Sequence, residues 1–280
     1  MNTTATADVI ALLQAEVSQL QEVMAGFDSA AWSRPSACAG WTVGDVMAHL
    51  IQGASSWCDV IARAVAGDTN PPPGQQALRP GERGSELTAQ RAVAFRQEIG
   101  DAALRTAFTE GYQQLHQVLL GLHATDWDKP CFHRRGILPL RDYVGLRLQE
   151  LTIHGWDIRS AFDAAATVSE GPLPVLVGIA QRWLANTFRP APGLTAPVRY
   201  RFDIAGPVPI HQDVLVSQDG FQTTPVTNST ADVTFRCTTG NYLLFVYGRL
   251  SLERHADSGR LQVEGNRQQA ALFSALFRGV

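Results

Sequence analysis

The sequence lacks the features of several protein classes. It contains no dense run of lysine or arginine and its formal net charge is −3, so a nucleic-acid partner is not expected. No stretch approaches the roughly 18 uninterrupted apolar residues of a membrane-spanning helix. The first segment, MNTTATADVIALLQAEV, reaches Gln14 and Glu16 too early for the apolar core of a signal peptide. These absences predict a cytoplasmic protein with no membrane or nucleic-acid partner.

Cysteine is sparse and scattered. The four cysteines are Cys38, Cys58, Cys131 and Cys237. They form no CxxC pair, so neither a disulfide framework nor a zinc ribbon is indicated, and buried free thiols are the ordinary interpretation. Cys38 lies beside Gly40 and Trp41 in a predicted loop, and is the one cysteine that we single out as a candidate reactive thiol.

The chain is long enough for two domains. Its 280 residues exceed the roughly 100 to 200 of an ordinary domain, and 45% of them are apolar, enough for two cores. Apolar residues keep the helical period in segments that we place at 7–26, 42–61, 85–123 with a possible break at Gly100, 140–162 and 173–184. Thr42 and Asp45 resemble a capping box at the start of the second helix. Residues 1–190 are therefore predicted to form an antiparallel four-helix bundle.

The pattern changes after FRPAPGLTAP, residues 188–197. Alternating apolar residues predict strands at 198–204, 213–216 and 232–235, and helical spacing returns at 242–247 and 268–277. The predicted second domain, residues 191–280, is thus a small α+β unit. Two segments in the first domain, 67–84 and 124–139, are predicted to be loops.

A short internal repeat precedes two of the predicted helices. Trp32-Ser-Arg-Pro35 comes before the second helix, and Trp127-Asp-Lys-Pro130 comes before the helix that begins near residue 140. The match suggests two similar helix pairs, although so short a pattern also recurs by coincidence.

Three side chains suggest a metal site in the bundle. Glu150 and His154 are four residues apart and share one helix face, a spacing that ordinary surface interactions also show. His49 lies in the apolar context VMAHLI on another predicted helix, where a hydrogen-bonded core histidine is the common alternative. Two histidines and one carboxylate leave coordination positions open, as catalytic sites do. Such ligands suit zinc first, with nickel, iron or manganese possible.

Asp157 follows His154 by three residues, on nearly the same helix face. It could be a further ligand, or it could accept a hydrogen bond from the ring nitrogen of His154 that faces away from the ion. We favour the second role.

The segments around these residues resemble a known family. ACAGWTVGDVMAHL, which contains His49, and RLQELTIHGWDIRSAF, which contains Glu150 and His154, resemble the two signature segments of the mycothiol-dependent maleylpyruvate isomerase family, within the DinB-like metalloenzymes. This resemblance covers about residues 7–190. The second domain resembles a sterol-carrier-protein-like unit through FVYGRL, residues 245–250, and SGRLQVEGN, residues 258–266.

The resemblance implies that a metal ion, usually zinc, is bound by His49, Glu150 and His154. It also implies that an arginine of the second domain reaches the site; Arg249 is the first candidate for binding the cosubstrate and Arg260 is the second. Arg249 and Asp157 are the candidates for a catalytic role.

The implied cosubstrate is mycothiol, the low-molecular-weight thiol of actinobacteria. A metal-bound thiolate would attack a small electrophilic substrate, giving either thiol transfer or cis–trans isomerisation. An arginine could stabilise the enolate or carboxylate that forms.

Two other functions remain open from the sequence. The chain could bind a thiol or small metabolite without turnover, or it could be a thiol-independent metal hydrolase. The hydrolase needs a general base, and Asp157 could serve only if it is not bound to His154. Monomer and homodimer are both compatible with the sequence.

Overall fold

The architecture of the chain is described by a computed structural model that covers residues 3–79, 84–190, 193–252 and 259–277. Parts of three predicted segments, 67–84, 188–197 and 258–266, lie outside these ranges. Contacts divide the chain into two compact units, Met1–Ala166 and Thr167–Val280. Within the described ranges, no helix combines the length and the apolar character that a membrane crossing requires.

The first unit is a helical bundle. Its helices are α1 (Thr3–Ala25), α2 (Val43–Val65), α3 (Ser85–Ile99), α4 (Asp101–Leu120) and α5 (Leu140–Arg159). Helices α1 and α2 each pack against both α4 and α5, which closes a four-helix arrangement, and α3 packs against α2 and α4. The single helix predicted at 85–123 is two helices, because Gly100 adopts a left-handed φ of 73° that ends α3 and begins α4.

The predicted capping box at the start of α2 is confirmed. The side chain of Thr42 accepts a hydrogen bond from the Asp45 amide, and the Asp45 carboxylate accepts one from the Thr42 amide. Arg96 on α3 donates to both side chains, at 2.5 Å to Thr42 Oγ1 and 3.1 Å to Asp45 Oδ1. The first turn of α2 is therefore fixed to the neighbouring helix.

Both copies of the Trp-x-x-Pro motif adopt the same local structure. Each copy forms a short 3-10 helix, Ala31–Ser33 or Asp126–Asp128, that buries its tryptophan. In each copy, the first residue of the following helix then hydrogen-bonds back to the motif. The Val43 amide donates to the Arg34 carbonyl at 2.9 Å, and the Leu140 amide donates to the Lys129 carbonyl at 2.9 Å.

The segment predicted as a loop at 124–139 contains an antiparallel hairpin, which corrects that prediction. Strand β1 (Pro130–His133) pairs with β2 (Gly136–Pro139) and leads directly into α5. The corresponding segment before α2 makes only an isolated bridge between Pro35 and Thr42. Strands of four residues with mixed exposure carry too little alternation to be recognised from sequence.

The second unit combines a sheet with helices, as predicted. Its helices are α6 (Leu173–Thr187), α7 (Thr239–Val246) and α8 (Arg267–Leu276), and its strands are β3 (Val198–Ala205), β4 (Ile210–Val216), β5 (Phe221–Pro225), β6 (Val233–Thr238) and β7 (Gln262–Gly265). The contact boundary after residue 166 is earlier than the boundary near 190 expected from sequence, because α6 packs against α7.

The five strands form one sheet in the order β5-β4-β3-β6-β7, with β3 and β6 parallel and the other pairs antiparallel. Strand β3 alternates as expected. Its buried face meets an aromatic core that includes Phe235 and Phe273, and on its other face Arg199 and Arg201 pair with the buried carboxylate of Asp213. The sequence did not reveal β5 and β7, whose residues are mostly exposed.

A buried arginine lies inside the helical bundle. Arg147 on α5 is 1% exposed, and its Nη2 donates to the Tyr112 hydroxyl at 2.5 Å and to the Leu50 carbonyl at 3.4 Å. Its guanidinium also lies over the ring of Trp57, 5.0 Å from the centroid. No carboxylate lies within salt-bridge distance of it among the described residues. Arg147 therefore links α5 to α2 and α4 through polar contacts in an apolar interior.

We expect Tyr112→Phe to lower the free energy of unfolding by about 2 kcal/mol, because it removes the acceptor of a buried charged donor. Urea denaturation followed by circular dichroism measures the change. Tyr143→Phe is the matched control, since Tyr143 is a buried bundle tyrosine whose hydroxyl has no hydrogen-bond partner within the described ranges. Equal losses in the two variants would contradict the assigned role of Arg147.

Candidate metal centre

The structure brings His49, Glu150 and His154 together. The Nε2 atom of His49 lies 2.9 Å from Glu150 Oε2, and the Nε2 atom of His154 lies 3.6 Å from the same oxygen. One ligand atom from each side chain lies within 4.8 Å of the others. Nitrogen and oxygen ligands sit about 2 Å from a zinc ion, so atoms around one ion lie within about 4 Å of each other. The side chains present thus fit a divalent cation after small rotations.

Two helices position these side chains. The capping box fixes the first turn of α2, and this sets the position of His49 along and around the helix axis. Helix α2 then packs against α5. On α5, the four-residue spacing places Glu150 and His154 on one face, as predicted. The side chains of His49, Glu150 and His154 are 18%, 33% and 12% exposed, so the cluster is partly open to solvent.

Asp157 lies behind His154. The Nδ1 atom of His154 is 2.9 Å from Asp157 Oδ2, and the Asp157 side chain is fully buried. This geometry matches the orienting role. A ring that donates from Nδ1 to a carboxylate has its Nε2 directed at Glu150, where it donates a hydrogen bond or, once deprotonated, can ligate a metal ion.

Burial and hydrogen bonding set the charges of the cluster. Burial lowers the pKa of His49 and keeps its ring neutral. Burial opposes ionisation of Glu150, but hydrogen bonds from His154 and His49 hold the pKa of that carboxyl well below its ordinary value. Burial also disfavours the His154 cation, yet hydrogen bonds to Asp157 and Glu150 raise the pKa of that ring. The cluster thus contains an anionic carboxylate, Glu150, beside an imidazole, His154, that binds a proton more tightly than an ordinary histidine.

Trp41 forms one wall of the cluster, which the sequence analysis did not predict. Its ring is nearly parallel to that of His154, with centroids 6.3 Å apart, and meets the ring of His49 edge-on at 5.4 Å. The available signal was the position of Trp41, directly before the capping box of the helix that carries His49. An indole here shields the imidazoles from water.

The arginines predicted to reach the site belong to the second unit. Arg249 follows α7, and its Nη1 donates to the Tyr247 carbonyl at 2.9 Å. Arg260 precedes β7, and its carbonyl accepts from the side chain of Asn241 at 3.0 Å. The roles assigned to both arginines stay predictions.

We expect Asp157→Asn to weaken zinc binding roughly 10- to 100-fold, because the amide cannot act as the anionic acceptor for His154 Nδ1. Competition with a chromophoric chelator measures the affinity. Asp142→Asn, in the first turn of the same helix, is the control and should leave it unchanged. An unaltered affinity in Asp157→Asn would show that the carboxylate does not orient His154.

Comparisons with known proteins agree with this architecture. Residues 13–159 match the model of the mycothiol maleylpyruvate isomerase N-terminal domain, and residues 195–278 match that of the SCP-2 sterol transfer family. A search of curated proteins found no match.

Among solved structures, a mycothiol-dependent maleylpyruvate isomerase is similar with a TM-score of 0.64 and 17% identity over 92% of each chain. A mutant of a mycothiol-dependent maleylpyruvate isomerase gives a TM-score of 0.64 and 16% identity over the same shares. At this identity the similarity shows a common fold. Since the first family model spans more than half of the sequence, the chain belongs to the mycothiol maleylpyruvate isomerase N-terminal domain family.

Proposed function

We propose that the protein is an enzyme that uses a low-molecular-weight thiol, mycothiol, to act on a small electrophilic substrate. The outcome is cis–trans isomerisation or transfer of the thiol. The observation that carries this proposal is the convergence of His49, Glu150 and His154 in an accessible cluster of a family member.

These three residues would hold a divalent metal ion, with zinc as the first choice. When bound, such an ion supplies a Lewis acid that lowers the pKa of a thiol near it, from about 8.5 toward neutrality. Two imidazoles and one carboxylate leave room for an incoming sulfur.

The surrounding side chains prepare the cluster for this chemistry. Asp157 fixes the orientation and the tautomer of His154 through a hydrogen bond of 2.9 Å. Trp41 covers the imidazole rings and keeps water from one side. Arg147, buried one turn before Glu150 on α5, places a positive charge behind the cluster and contributes to the lowered pKa of His49.

The alternative of a metal hydrolase is less well supported. That mechanism needs Asp157 as an available general base, and Asp157 is fully buried and bound to His154. A thiol nucleophile requires no such base once its proton has been lost.

We expect purified protein to contain one metal ion per chain, and His49→Ala to lose it together with thiol-dependent turnover, by about a hundredfold or more. Loss of a metal ligand should lower the activity more than the 10- to 100-fold that is typical when a residue hydrogen-bonded to a ligand is removed. Elemental analysis and consumption of maleylpyruvate with and without mycothiol are the measurements. His116→Ala on α4 is the control. Full thiol-dependent activity in His49→Ala would reject the proposal.

The role of the second unit has its own test. If Arg249 stabilises the negative charge that develops on the substrate, Arg249→Gln should lower kcat about 10²- to 10³-fold. If Arg260 only helps to bind the thiol, Arg260→Gln should raise the KM for mycothiol and leave kcat unchanged. Steady-state kinetics with each substrate varied separates the two. Unchanged kinetics in both variants would remove these arginines from the mechanism.

A further inference from the structure

A second group of metal-ligating side chains adjoins the first. Cys38, His154 and Asp157 each place a ligand atom within 4.8 Å of the other two. The group combines a thiol, an imidazole and a carboxylate, which is a donor set for a thiophilic divalent ion. The ligand set proposed above does not include Cys38.

The fold holds Cys38 against α5 through its own loop. The Ala37 amide donates to the Asp157 carbonyl at 3.3 Å, which ties the loop to the helix. The Ser36 hydroxyl donates to the Trp41 carbonyl at 2.8 Å and accepts from the Cys38 amide at 3.2 Å. Gly40, with a φ of 80°, permits the tight turn that completes the loop. The position of Cys38 beside His154 is thus set by hydrogen bonds within the loop and by one hydrogen bond from the loop to α5.

The imidazole of His154 faces both groups. Its Nε2 is directed toward Glu150 and its Nδ1 toward Asp157. Neutral imidazole has one free lone pair, but the imidazolate form has one on each nitrogen and can bridge an ion on each side. Asp157 is fully buried, whereas Cys38 is half-buried, so an ion could approach from the side of the cysteine.

We propose that Cys38, His154 and Asp157 form a second cation site, which a thiophilic divalent ion such as Zn²⁺ or Cd²⁺ fills when it is added in excess of one equivalent per chain. Binding displaces the proton of the Cys38 thiol and the proton that His154 Nδ1 shares with Asp157, and both go to solvent; with both sites filled, His154 is the imidazolate that bridges the two ions. The thiolate and the Asp157 carboxylate balance the two charges of the ion. The site shares His154 with the cluster proposed above, but its test does not depend on turnover.

Cobalt titration of the reduced full-length chain tests this site. Co²⁺ bound to a thiolate gives a sulfur-to-cobalt charge-transfer band in the near ultraviolet, which nitrogen and oxygen ligands do not produce. We expect the wild-type chain to develop this band by two equivalents of Co²⁺, and Cys38→Ser to lose it. The visible cobalt absorption from the first group should persist in Cys38→Ser, which also shows that the variant is folded.

Two controls separate this site from other possibilities. Cys58→Ser, which removes a buried cysteine on α2, should keep the band, and so should His49→Ala, which damages only the first group. The proposal is overturned if the wild-type chain shows no band, if Cys38→Ser retains it, or if either control loses it. Loss of mycothiol-dependent turnover in His49→Ala with the band retained would support both sites independently.

Discussion

The contact between α2 and α5 is the interaction on which the candidate site depends. It brings His49 to within 2.9 Å of Glu150, although 101 residues separate them in sequence. Inside a bundle, an anionic carboxylate is stable only when hydrogen-bond donors surround it, and the imidazoles of His49 and His154 supply them. The same donors can become ligands, so the arrangement that stabilises the charge also prepares the site for a cation.

Much of the fold was predictable because its signals are local. The helical period located the bundle helices, and the spacing of Thr42 and Asp45 located the start of α2. The hairpin before α5 was not predicted, since its four-residue strands are held by pairing with each other rather than by an apolar face. The break at Gly100 was suspected, but only the left-handed conformation there establishes it.

The candidate site was predictable in part for the same reason. Glu150 and His154 share one helix and therefore one face, whereas His49 lies on another helix and was selected from its apolar context and then from the resemblance to a family. Trp41 and Cys38 reach the site through a loop whose shape depends on its internal hydrogen bonds and on one hydrogen bond to α5, and no sequence period reports such a loop. Arg147 was missed because a charged residue in a helix is ordinarily assigned to the surface.

The two Trp-x-x-Pro motifs have a consequence for the spacing of the ligands in the site. In each motif, a carbonyl two residues after the tryptophan accepts a hydrogen bond from the first residue of a ligand-bearing helix, Val43 or Leu140. A slip of one residue along either helix would swing its ligands by about 100° around the axis and disperse them. These two hydrogen bonds fix the position of each helix along its axis. The more distant connections between helices can therefore vary in length without changing the spacing of the ligands around an ion.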